Sequence, residues 1–126
     1  MKKETSTNTI NQNHLNEECG MVYTLSVIGG RWKLSILGLL LSNGRLRYNE
    51  LRRKLIGVSE RMLIAQLKEL QSDGLVNRIV YPEVPPKVEY ELTEKGLTLE
   101  KILVKMSEWG EDQNSSNNAI NIKKPR

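Results

Sequence analysis

Three consecutive stretches decide the fold: Tyr48-Asn49-Glu50-Leu51-Arg52-Arg53-Lys54-Leu55, then Ile56-Gly57-Val58-Ser59, then Glu60-Arg61-Met62-Leu63-Ile64-Ala65-Gln66-Leu67-Lys68-Glu69-Leu70-Gln71-Ser72. In the first, Tyr48, Leu51 and Leu55 recur at helical spacing and predict a short helix. In the second, Gly57 permits a sharp turn, and Ser59 is a good N-cap because its hydroxyl accepts a free N–H of the next turn. In the third, Leu63, Leu67 and Leu70 form one apolar stripe. Asp73-Gly74 ends that helix.

Outward from this segment the period changes. Leu75 to Tyr81 and Val88 to Leu92 are β-rich, separated by Pro82-Glu83-Val84-Pro85-Pro86-Lys87, which predicts a β-hairpin with a stiff tip. Upstream, Met21, Val22, Leu25 and Ile28 predict a helix over 19–28, ended by Gly29-Gly30. Trp32, Ile36, Leu37, Leu40 and Leu41 predict another over 31–41, stopped by Asn43-Gly44. Gly38 inside it suggests close packing. Thr93 is a second N-cap, opening a long last helix to about Glu111 with Leu97, Ile102, Met106 and Trp109 among its apolar positions. Residues 1–18 read as a disordered arm and 113–126 as a flexible tail, leaving one domain over 19–112. Helix, turn, helix, hairpin is a winged helix-turn-helix pattern, mainly α with a small β-hairpin.

Composition agrees with one soluble domain. The chain has 126 residues, 38% hydrophobic and 27% charged. No apolar run reaches the roughly 18 residues of a membrane span, and the polar start lacks a leader pattern, so a cytoplasmic protein without membrane association is expected. One cysteine and one histidine leave no metal cluster and no plausible nucleophile–base pair. Gly29-Gly30 lacks the spacing of a phosphate loop. No enzyme activity, metal or cofactor is expected.

Charge is unevenly spread. Residues 31–68 carry a net +7, residues 69–112 a net −5. A basic first half points to a polyanion. With the leucine stripe inward, Ser59, Glu60, Arg61, Ile64, Ala65 and Lys68 face outward on a helix that fits the DNA major groove. Arg61 suits a guanine edge or a phosphate. Ser59 and Gln66 suit phosphate or base, Lys68 a phosphate. Arg45, Arg47, Arg52 and Arg53 are natural phosphate neutralisers, and the hairpin adds Arg78 and Lys87. The expected partner is double-stranded DNA. The alternative is a winged helix used as a protein-interaction module without specific DNA binding.

Further runs carry a family resemblance: Cys19, Val27-Ile28-Gly29-Gly30-Arg31-Trp32-Lys33, Arg47-Tyr48-Asn49-Glu50-Leu51-Arg52-Arg53, Val58-Ser59-Glu60-Arg61-Met62-Leu63, Asp73-Gly74-Leu75-Val76, Tyr81-Pro82-Glu83-Val84-Pro85-Pro86-Lys87, and Trp109-Gly110. Over residues 19–112 the chain resembles the HxlR-type winged helix regulators of bacteria, which are similar to MarR regulators but smaller. The resemblance implies a transcription factor that binds a palindromic operator as a homodimer. Its first and last helices would form the interface, here Met21, Val22, Leu25, Leu99, Ile102, Leu103, Met106 and Trp109. Several such proteins sense oxidants or electrophiles through a cysteine just before the first helix, which Cys19 matches. The expected chemistry is a Cys19–Cys19 bond across the dimer, a mixed disulfide with a small thiol, or alkylation. A helix N-terminus favours the thiolate, Glu17 and Glu18 oppose it, and Arg31 or Lys33 could offset them. The chain departs from the family at Ile64 and Ala65, where the family usually has a small polar residue and often Gln. Contact with a thymine methyl is the natural substitute there.

Overall fold

The computed structural model describes the backbone of residues 19–120. The expected arm, 1–18, and residues 121–126 lie outside the described residues. Cys19 is extended and leads into α1 (Gly20–Ile28). At Gly29-Gly30 the chain turns by 85° into α2 (Arg31–Asn43). There follow β1 (Arg45–Arg47), α3 (Tyr48–Lys54), α4 (Glu60–Ser72), β2 (Val76–Tyr81), β3 (Lys87–Leu92), α5 (Glu94–Leu97) and α6 (Glu100–Ile120).

Local chemistry sets these boundaries. The Arg47 N–H at the start of α3 donates to the Glu50 carboxylate at 2.8 Å. The turn between α3 and α4 needs Gly57, whose φ is +92°, a region closed to most side chains. Ser59 Oγ accepts the Met62 N–H at 3.0 Å and satisfies one orphan donor of α4. At the far end of α4 the Leu75 N–H reaches back to the Leu70 carbonyl at 2.9 Å, closing the helix before the wing.

The stripe on α4 does what its spacing predicts. Leu63, Leu67 and Leu70 are almost wholly buried, in one core with Ile36, Leu37 and Leu40 of α2 and Leu51 of α3. Each such side chain contributes about 1.5–3 kcal/mol of transfer free energy. Leu75, Val76, Tyr90 and Leu92 extend the core beneath the wing.

Three elements differ from expectation. The β structure is a three-stranded antiparallel sheet in the order β1-β3-β2, not a lone hairpin. Arg45-Leu46-Arg47 adds the third strand, with Leu46 buried opposite Tyr90 and both arginines outward. The last helix is two helices. Thr93 caps α5, its Oγ accepting the Gly96 N–H at 2.9 Å, and the chain bends at Thr98-Leu99 before α6. Gly96 is buried here because α5 lies against the start of the wing, where an added methyl would overlap the Leu75 carbonyl oxygen. Helix α6 then runs to Ile120, past Glu111, so residues 113–120 are helical rather than a flexible tail. Gly38 corrects another expectation, since nothing lies within 4 Å of the methyl it lacks.

Candidate nucleic-acid interface

With its leucines inward, α4 exposes Glu60, Arg61, Ile64, Ala65 and Lys68 to solvent. Arg61 and Ala65 sit at the centre of this outer face, opposite the leucine stripe. Glu60, Ile64 and Lys68 lie on the flank nearer the wing. Between that flank and the wing is a groove of about 900 Å³. Its walls include Arg47 from β1, Lys68 from α4, Arg78 from β2 and Lys87 from β3, so four elements each supply one cation. Glu60 and Glu83 are the acids on the same walls. The wing's turn passes through a cis Val84–Pro85 bond.

Tyr48 also lines the groove. The sequence places it inward, and its hydroxyl is indeed buried, with no hydrogen-bond partner among the described residues. Burial raises its phenol above the ordinary value, and the Glu60 carboxylate adds to this.

Other expected contact residues are placed differently. The guanidinium of Arg45 is engaged within the sheet: Nη2 and Nε donate to Glu91 Oε1 at 2.8 and 3.1 Å, and Nη1 to the Tyr81 hydroxyl at 3.0 Å. That corrects its reading as a free phosphate neutraliser. Gln66 is half-buried, its amide donating to the Met62 sulfur at 3.3 Å, so it stands apart from the outer face. Ser59 Oγ accepts the cap N–H with one lone pair and keeps its O–H proton for an outside acceptor. Arg52 and Arg53 are exposed on the last turn of α3, where positive charge also complements the helix dipole. Among the described residues Arg52, Arg53, Arg61, Lys68 and Arg78 form no ion pair.

The polar face of the sheet is a network centred on Glu89 and Glu91. The Tyr81 hydroxyl donates to Glu89 Oε1 at 2.8 Å, and Lys87 Nζ lies 3.6 Å from Glu89 Oε2. Lys87 also sits 4.5 Å from the centre of the Tyr81 ring. The Tyr81 hydrogen bond holds Glu89 below the usual carboxylate range. Burial opposes this, while Lys87, Arg45 and Arg47 assist.

Away from the groove walls, α1 and α6 leave large apolar side chains in solvent. Met21 is 72% exposed and Trp109 69%, with Leu25, Ile102 and Met106 also exposed. Val22 is half-buried. Leu103 is buried in the chain's own core, which corrects its assignment to a surface for a second copy, while Leu99 is half-buried against that core. Cys19 is the half-buried N-cap residue of α1 and its side chain makes no cap hydrogen bond. Of the two expected basic neighbours, Lys33 Nζ lies 2.6 Å from Glu69 Oε1 of α4, and the Arg31 guanidinium stacks 4.2 Å from the Trp32 ring centre.

Sequence reasoning placed Glu60 and Ile64 outward and gave Ile64 a base contact, but passed over Glu60 as a site residue. The signal was present: both fall one flank round from the leucine stripe, at i and i+4. Asn49 and Gln71 of the groove walls carried no comparable signal.

Comparison with known proteins agrees with this geometry. Residues 27–118 match the model of the HxlR-like helix-turn-helix family. The HTH-type transcriptional regulator YybR of Bacillus subtilis (strain 168) is 54% identical over 95 residues, covering 75% of each chain. The redox regulator HypR, solved in its oxidised form, is 51% identical with a TM-score of 0.70, covering 75% of this chain and 96% of that one. The reduced form of the transcriptional regulator YodB from B. subtilis is 36% identical with a TM-score of 0.65, covering 74% and 90%. These relatives are regulators and not enzymes, and among the described residues no single helix is long and apolar enough to cross a membrane. A capped recognition helix, a cation-lined groove beside a wing, and this likeness over most of the chain agree: the protein belongs to the HxlR-like helix-turn-helix family of transcriptional regulators, winged helix proteins of MarR-like architecture.

Proposed function

We propose that the chain binds double-stranded DNA as a homodimer on a palindromic operator and responds to oxidants or electrophiles through Cys19. One observation carries the DNA reading: cations from β1, α4, β2 and β3 converge on the groove beside the outer face of α4. In this reading α4 enters the major groove, Arg61 reaches a base edge or phosphate, and Arg47, Lys68, Arg78 and Lys87 hold the strand that passes between helix and wing. Binding to the genome sets the work of the protein in the cytoplasm.

The exposed apolar residues of α1 and α6 support pairing of two copies through those helices. Such a dimer presents two α4 helices to successive major grooves, about 34 Å apart. The redox regulators HypR and YodB among the similar structures support a sensing role for Cys19. A modified Cys19 at the start of α1 would shift one recognition helix relative to the other. Lys33–Glu69, between α2 and α4, is one link by which that shift travels.

The deciding experiment is selection of bound duplexes from a random DNA library with reduced protein at near-physiological salt, repeated with oxidant. Enrichment of a palindrome with half-sites one helical turn apart supports the reading. Failure to enrich any sequence in both states refutes it and favours a protein-interaction module.

A further inference from the structure

Glu60 is an acid where a DNA-binding groove would be expected to carry only cations. It is exposed, lines the groove, and makes no ion pair or hydrogen bond among the described residues, although Arg47, Lys68, Arg78 and Lys87 line the same walls. A phosphate would be repelled by it. The partner that suits a free carboxylate on a recognition helix is a hydrogen-bond donor on a base edge. Cytosine offers its N4 amino group in the major groove. Adenine also has an amino group, but the N7 acceptor beside it opposes a carboxylate.

Resting on the DNA reading above, we propose that Glu60 is a specificity-determining residue that selects cytosine within each half-site, close to the thymine whose methyl group Ile64 is already expected to meet. The two side chains stand on one flank of α4, four residues apart. Four residues advance about 6 Å along a helix, close to two base steps of about 3.4 Å each. The half-site therefore carries its cytosine and its thymine no more than two steps apart.

The competing account is that Glu60 merely complements the positive end of the α4 dipole. That role would change thermal stability without changing base preference. The test is library selection and competition binding with the full chain, wild type against Glu60→Gln and Glu60→Asp. In wild type, replacing the cytosine should weaken binding roughly tenfold. In Glu60→Gln that penalty should fall to about twofold, while affinity for unrelated DNA rises because a repelling charge is gone. Glu60→Asp keeps the charge but loses reach, so it should lose the cytosine preference with the salt dependence of wild type. It also serves if Glu60→Gln fails to fold. Unchanged cytosine preference in the folded variants overturns this proposal and leaves the DNA reading standing. Failure of wild type to select any sequence overturns both.

Discussion

Replacing Gly96 by alanine would drive a methyl into the Leu75 carbonyl oxygen and to 3.3 Å from Leu92 Cδ2. That carbonyl accepts the Thr93 N–H at 3.0 Å, and Thr93 Oγ1 in turn donates to the Gly74 carbonyl at 2.6 Å and accepts from Gly96. Backing α5 away strains one or two of these hydrogen bonds, at about 1 kcal/mol each. The overpacking itself costs about 1–3 kcal/mol. Alanine recovers about 0.5–1 kcal/mol by restricting the unfolded chain. The net expectation for Gly96→Ala is a loss of about 1–4.5 kcal/mol. The identical change at Gly38 meets open space and should gain about 0.5–1 kcal/mol. Urea unfolding at a fixed protomer concentration measures both, with the midpoint shifting at constant slope. A Gly96→Ala protein within about 0.5 kcal/mol of wild type, the usual effect of a surface substitution, would refute the reasoning. So would a destabilised Gly38→Ala.

Glu89 is held below its ordinary pKa, so its contribution to stability is fully present above the unfolded carboxylate value and is lost as pH falls through the lower folded value. Acid titration of unfolding should show Glu89→Gln with a shallower loss than wild type below about pH 4.5, and a steepening in that variant would count against the network. Lys68→Ala should reduce the slope of log affinity for DNA against log salt by about 1, whereas Arg45→Ala, whose charge is engaged by Glu91, should leave that slope nearly unchanged. Filter binding over a salt series distinguishes them. Cys19→Ser should bind DNA as wild type when reduced and lose any response to oxidant. A variant that still responds would end the sensing role of Cys19.

The recognition helix was legible because its cap, stripe and stop are all local: Ser59, the three leucines and Asp73-Gly74 lie within one short stretch. The third strand was not, because Arg45-Leu46-Arg47 is too short to show a period and acquires its meaning from partners far along the chain. The Arg45–Glu91 contact spans 46 positions, so the sequence shows two surface charges where the fold makes an ion pair. Along α6 the apolar residues all look alike in sequence. Only packing separates Leu103, turned into the core, from Met106 and Trp109, left in solvent. The break at Thr98-Leu99 was hidden for a similar reason. Gly96 reads as an ordinary helix glycine until the strand it must approach is in place.

The sheet ends in two open borders, since β3 lies between β1 and β2. An unpaired strand border is a template for adding foreign strands. One border is only three residues long and presents Arg45 and Arg47. The other carries the exposed Asn77 and Arg78. The β1 border is too short to template a long strand, and the β2 border carries the charge of Arg78, so each is a poor acceptor of a foreign strand. Arg47 and Arg78, which line the groove beside α4, thus have a second effect: they place charge along both edges of the sheet, where it discourages strand addition.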